Sequence, residues 1–202
     1  MTLLEIRNTI RVNLLETVAK FWVDAEINNW INSAHRVIVN SLNDSALFSL
    51  QKIGSAAISA GTTLADAFYI ALPADFSRAY AVFDSDKKFY RYYPLNLFLK
   101  HDDVLPLSKA YIYSVWDKKL LLSAPVALTG KTAYCGYIKI PLALSLVGDV
   151  SDLSDDLLAL VIYYSTAQAL VKEGNPEAKN YLEQFWGEIK IINSRYVSQE
   201  TK

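Results

Sequence analysis

Cysteine, histidine and glycine are scarce in this chain, with one Cys, two His and seven Gly among 202 residues. Cys135 alone closes no intramolecular disulfide, and with His35 and His101 as the only imidazoles a zinc centre of Cys and His ligands is excluded. So few glycines leave no Gly-rich phosphate loop, no dinucleotide fingerprint and no serine nucleophile elbow. Charge of one sign is also missing: 20 Lys and Arg face 21 Asp and Glu, for a net charge of -1. That balance removes the broad basic footprint on which binding to a phosphate backbone rests. No apolar run approaches the roughly 20 residues needed to cross a bilayer. Glu5 and Arg7 interrupt the stretch where a secretory signal would need an apolar core, so the sequence predicts a protein made in a reducing cytoplasm, with no membrane association.

What is present is a large apolar fraction, 52% against 20% charged, enough to build a core without a disulfide or a metal. Aromatic residues reach 12%, including 13 Tyr and 4 Trp. Tyr and Trp suit surfaces that are part apolar and part wet, as subunit contacts are.

Thr2-Leu3-Leu4-Glu5 has the spacing of a capping box, so a helix is expected from the first residues. Leu3, Ile6, Ile10 and Leu14 form its apolar stripe. Arg7, Asn8, Arg11 and Asn13 occupy the opposite side, which predicts packing on one face only. Asp24 stands as the N-cap of a second helix carrying Ile27, Trp30, Ile31, Ala34, Val37 and Ile38, running to about Leu42 and ended by Asn43-Asp44-Ser45.

The period changes in the middle of the chain. Phe68 to Leu72, Ala79 to Phe83 and Phe89 to Tyr93 read as strands closed by Pro73, Asp84-Ser85-Asp86 and Pro94. Tyr111 to Trp116 and Leu120 to Leu122 read as a hairpin about Asp117-Lys118-Lys119, and Thr132 to Ile138 as another strand. Helical spacing returns after Pro141. Ser151 or Ser154 caps a helix with Leu157, Leu158, Val161, Ile162 and Ala169, Gly174 is its left-handed C-cap, and Asn175-Pro176 starts a last helix with Tyr181, Leu182, Phe185, Ile189 and Ile192.

The expected fold is α+β, mainly a helical bundle of N- and C-terminal helices with a compact antiparallel β region inserted between them. Residues 1–46 and 148–202 form the helical core domain and 61–141 the inserted β domain, with 47–60 and 142–147 as connecting segments.

Chemistry-bearing clusters read as structural. His101-Asp102-Asp103 has the residue types of a general base, but adjacent residues on one loop make a solvated loop rather than a site. His35 flanks an apolar stripe, as a helix-boundary packing residue does. Asp149, Asp152, Asp155 and Asp156 lack the central Gly and closing Glu of a calcium loop and suit a helix N-terminus. Cys135 sits in a strand-like stretch as an inert buried thiol. Tyr90, Tyr92, Tyr93, Tyr111 and Tyr113 raise a sugar-stacking or single-strand-binding surface, against core filling on one face and subunit contact on the other. No catalytic residue, metal or cofactor is expected.

The segment Phe21-Trp22-Val23-Asp24-Ala25-Glu26-Ile27-Asn28-Asn29-Trp30-Ile31-Asn32-Ser33-Ala34 resembles the N-terminal signature of tailed-phage head–tail connector adaptor, or head-completion, proteins. There an aromatic and a short polar step precede a D-x-E-I cap and a W-I-N-x-A helix face. Thr2-Leu3-Leu4-Glu5-Ile6-Arg7, the exit Leu72-Pro73-Ala74-Asp75-Phe76 and the closing helical pair follow the same family order. The β region is longer than the short insertion of the simplest members.

The resemblance implies a structural virion protein that binds under the portal ring after genome packaging and oligomerises with copies of itself to a dodecamer. It would extend the channel through which DNA passes without sequence-specific binding, and attach a tail or nozzle protein. On that reading the C-terminal helix and tail, Phe185 to Lys202, dock on the portal, with Phe185, Trp186, Ile189 and Tyr196 as candidates. Arg7, Arg11, Trp22, Asp24, Tyr90, Tyr92, Tyr111 and Tyr113 are the candidates for subunit or tail contacts. The alternatives are another phage ring protein, of tail-completion or tail-terminator type, and a carbohydrate-binding module.

Overall fold

The computed structural model describes residues 1–16, 21–59, 68–98, 110–124, 127–128 and 130–200, with backbone alone over 197–200. In chain order its elements are α1 (Leu3–Asn13), α2 (Asp24–Ser41), a 3₁₀ segment (Asp44–Leu50), β1 (Gln51–Ala57), β2 (Phe68–Ala71), β3 (Phe76–Asp84), β4 (Arg91–Tyr92), α3 (Leu95–Phe98), β5 (Ile112–Trp116), β6 (Lys119–Ser123), β7 (Thr132–Lys139), α4 (Asp155–Glu173) and α5 (Ala178–Glu200). The fold is α+β, in two compact units: Met1–Leu50 with Ile140–Lys202, and Gln51–Lys139.

In the helical unit α1 starts at its capping box. The Thr2 N–H donates to Glu5 Oε2 at 2.7 Å, and the Glu5 N–H donates to Thr2 Oγ1 at 3.3 Å. Its stripe Leu3, Ile6 and Ile10 is fully buried. The expectation of one packed face is corrected, because Arg7 and Arg11 on the other side are buried too. Asp24 is not an N-cap either. Val23 holds that position without a side-chain bond, and Asp24 is the first helical residue, its carboxylate committed to Arg7 and Arg11.

Helix α4 is apolar around most of its circumference, burying Leu157, Leu158, Leu160, Val161, Ala167, Ala169 and Leu170. Such a helix is stable only when surrounded, and α1, α2 and α5 all pack against it. Ser154 holds its N-cap position, while Ser151 accepts from the Leu153 N–H instead. Gly174 ends the helix in the left-handed region at φ 75°. Asn175 Oδ1 then accepts the Glu177 N–H at 3.0 Å and restarts the chain towards α5. Phe185 of α5 is fully buried in this unit, a burial that stabilises by roughly 2–3 kcal/mol.

The second unit has a three-stranded sheet in the order β1-β7-β3 and a four-stranded sheet in the order β2-β6-β5-β4. Side chains alternate as the pleat requires. On β6, Leu120 and Leu122 enter the main core with Ile70, Val82, Tyr113 and Tyr137, whereas Leu121 joins Phe98 and Ile112 in a second cluster to which α3 contributes.

Three expectations change here. Strand β1 lies within the segment 47–60 that was expected to connect. Its sequence Gln51-Lys52-Ile53-Gly54-Ser55-Ala56-Ala57 has one strand former, and it is a strand because β7 pairs with it along its whole length. Strand β3 starts at Phe76 rather than Ala79. The expected strand Phe89 to Tyr93 shortens to β4, because the chain crosses between sheets: the Tyr90 N–H bonds Val82 O on β3 at 2.8 Å and the Arg91 N–H bonds Tyr111 O at 3.0 Å. β4 then runs parallel to β5.

The β5–β6 hairpin closes through two residues, Asp117 at φ 45° and Lys118 at φ 56°. Both are left-handed, as the twist of a two-residue hairpin demands, and Lys118 bears the Cβ penalty of that region. Lys118→Gly is expected to stabilise the chain by about 1 kcal/mol in urea unfolding; an unchanged or lower midpoint would show that the turn carries no strain.

Candidate functional site

A cluster of charge surrounds the α1–α2 connection. Arg11 donates to Glu16 Oε2 at 3.0 Å, to Trp22 O at 2.9 Å and to Asp24 Oδ1 at 2.6 Å, while Arg7 reaches Asp24 Oδ2 at 2.9 Å. Glu16 accepts in turn from the Phe21 and Trp22 backbone N–H groups. The Trp22 indole is buried and donates to Ala169 O of α4 at 3.3 Å. A guanidinium tolerates burial only when its donors meet carboxylates and carbonyls. Arg7, Arg11 and Trp22 were expected at a subunit or tail surface; they are occupied inside the helical unit instead, and Asp24, half exposed, is held by both arginines.

The four α5 candidates split by helical phase. Phe185 and Ile189 are core residues, whereas Trp186 is 51% exposed on the outer side. Tyr196 lines a pocket with Ala46, Phe48, Ser154, Asp156, Leu157, Glu188, Ile192 and Arg195.

The tyrosines split likewise. Tyr90 and Tyr113 are buried and Tyr111 is partly buried against the same core, which leaves Tyr92 as the exposed member of the four. Tyr90 donates to Asp84 Oδ2 at 3.3 Å, and burial first, then the Asp84 charge, pushes its phenol far above the ordinary range. Asp84, itself buried, also accepts the Asp86 and Lys88 N–H groups and so ties the turn after β3. The Tyr90 ring is thus committed to the core, while Tyr92 and Tyr113 line an open pocket with Phe76, Arg78 and Val115.

His35 and Cys135 are buried. His35 bonds Ile31 O through Nδ1 and Ser151 Oγ through Nε2, each at 2.8 Å. A carbonyl only accepts, so Nδ1 carries the proton and Nε2 accepts the Ser151 hydroxyl; burial holds the imidazole neutral, with its pKa below 6.5. Burial also pushes the Cys135 thiol up to about 11. Asp149 accepts the Ser145 and Leu146 N–H groups, which hold its carboxyl below the usual range, and Asp152 accepts the Leu142 N–H. Among the described residues no three His, Cys, Asp or Glu are grouped to hold a metal ion, and no helix is long and apolar enough to cross a membrane. His101-Asp102-Asp103 lies outside the described residues.

Reading the sequence did not single out the exposed apolar residues at the two ends of α1. At its start stand Leu4, Leu146, Val147 and Val150, and at its finish Val12, Leu15, Phe21 and Val23. The first group is held by backbone bonds, Leu3 N–H to Asp149 O at 2.8 Å and Leu4 N–H to Val147 O at 3.2 Å. Asn32 clamps Leu144 from both sides, accepting its N–H at 2.8 Å and donating to its carbonyl at 3.0 Å. Signals were present: Leu4 and Val12 fall off the helix stripe, and Leu142, Leu144 and Leu146 recur at every second residue of a segment with no strand or helix assigned to it. Exposed apolar clusters of this kind mark interaction surfaces.

The family model described as SU10 adaptor protein matches residues 1–201 of the chain. A search of curated proteins found no match.

The buried neutral His35 gives a pH dependence. Its pKa is lowered in the folded chain, so the unfolded chain takes up a proton that the folded one refuses. Stability is therefore full above about pH 6.5 and falls as the pH drops below it. Urea unfolding of His35→Gln is expected to lose part of that slope between about pH 7 and pH 5; an identical slope in both proteins would remove His35 as its cause.

Proposed function

Because the chain belongs to the SU10 adaptor protein family, and so is a phage structural adaptor of the virion, we propose that it assembles as a ring of copies beneath the portal. There it extends the DNA channel and offers the attachment surface for a tail or nozzle protein. Its role is geometric, with no chemical turnover, and a dodecamer is the stoichiometry that the resemblance to connector adaptors implies.

The observation that carries this reading is the pair of apolar surfaces at opposite ends of α1. A ring needs a head-to-tail contact between two different faces, whereas a two-fold dimer uses one face twice. Leu4 and Val12 are eight residues apart on α1, about 12 Å along a helix axis, so the two surfaces are separate. The first is pre-shaped by Asn32 and Asp149, which lowers the ordering cost of association. Trp186 and Tyr196 on α5 are the portal-docking residues on this reading, and Tyr92 faces a neighbour or the tail.

The test mixes purified protein with portal-bearing capsids of the same phage, sediments them and images the vertex. The expected result is a ring of added density at the portal, lost with Leu146→Asp/Val147→Asp although the variant stays folded. Absence from capsids with attachment to isolated tails would replace this reading with a tail-completion role.

A further inference from the structure

A pocket of about 370 Å³ in the helical unit is lined by the 3₁₀ segment, the start of α4 and the C-terminal half of α5. Its floor is apolar, with Ala46 and Leu157 each 3% exposed. Two aromatic residues line it as well, Phe48, which is 57% exposed, and Tyr196. Two carboxylates, Asp156 and Glu188, complete the lining, and among the described residues neither has an ion pair or a side-chain hydrogen bond. The chain's own Arg195, also in the lining, has an interaction of its own.

Two carboxylates in one concavity repel each other unless a cation is shared between them. An aliphatic floor takes the methylene stem of a long basic side chain, aromatic faces attract its cationic head, and carboxylates accept its N–H groups. An acidic or purely apolar side chain would leave both carboxylates desolvated without a partner, which costs binding energy.

We propose that this pocket receives an arginine or lysine side chain of the portal protein, as the anchor of the docking surface formed by the C-terminal half of α5. The proposal rests on the portal-docking reading and names the chemistry of its contact. Arginine fits best, because its planar head can stack on Tyr196 or Phe48 while donating to both carboxylates.

The experiment measures binding of the full chain to purified portal rings. D156R/E188R is expected to weaken binding at least tenfold while the chain stays folded, its melting temperature lowered only by the loss of the Asp156 charge from the first turn of α4. D156N/E188Q, which keeps shape and removes charge, is expected to weaken it similarly and flatten its salt dependence, and stands in if the arginine variant folds poorly. E173R/E177R makes the same change in net charge outside the pocket and is expected to bind as the unaltered chain does. Portal binding unchanged in both pocket variants overturns the proposal, as does an equal loss in E173R/E177R. Loss of self-association with portal binding intact overturns it too and gives the pocket to a neighbouring copy. Failure of the unaltered chain to bind portal rings overturns the portal-docking reading and this inference together, and only that outcome removes both.

Discussion

The guanidinium of Arg11 is buried where water cannot solvate it, and the helical unit is arranged so that its donors are met. Its acceptors come from three points between the end of α1 and the start of α2: the Glu16 carboxylate, the Trp22 carbonyl and the Asp24 carboxylate. Glu16, buried as well, is satisfied in return by the backbone of Phe21 and Trp22. Leaving one of these charges unpaired would cost several kcal/mol, so Glu16, Trp22 and Asp24 are held at fixed places around the guanidinium. Trp22 then ties this cluster to α4 through Ala169. The segment Phe21 to Ala34, which carries the resemblance to connector adaptors, is on this view first a folding signature.

With the charges turned inward, the ends of α1 are left to apolar side chains. The loop before α4 is held by Asn32, Asp149 and Asp152, so Leu142, Leu146 and Val147 project from a defined backbone. His35 reaches the same region through Ser151. Helix α2 thus links the two ends: its first residue closes the arginine cluster and its middle holds the loop. For the proposed ring, apolar ends held on a bonded backbone favour association, because less entropy is lost on docking.

Much of the fold was legible in local patterns. The Thr2 and Glu5 capping box and the Gly174 cap need only a few neighbouring residues, and the structure holds both; Asn175 turns the chain through its bond to Glu177, but the last helix begins only at Ala178. Strand β1 was not legible, because Gln51 to Ala57 becomes a strand only through β7, some eighty residues later in the chain. Burial of Arg7 and Arg11 was hidden for a related reason: polarity placed them outside, and only the three-dimensional meeting with Glu16 and Asp24 admits them. Phe185 and Ile189 were visible as an apolar stripe, and such a stripe is core before it is interface. For Tyr90 and Tyr113, strand alternation could not tell which face was inward until the sheet order was known.

The central claim is that Arg11 and Glu16 act within a single chain, as the fold's constraint and not as a contact between copies. A double-mutant cycle on Arg11→Met and Glu16→Gln, read by urea unfolding of the isolated chain, tests it directly. The account predicts a coupling energy of about 2 kcal/mol or more in the unassembled protein. A coupling near zero in the isolated chain, appearing only in the assembled ring, would contradict it.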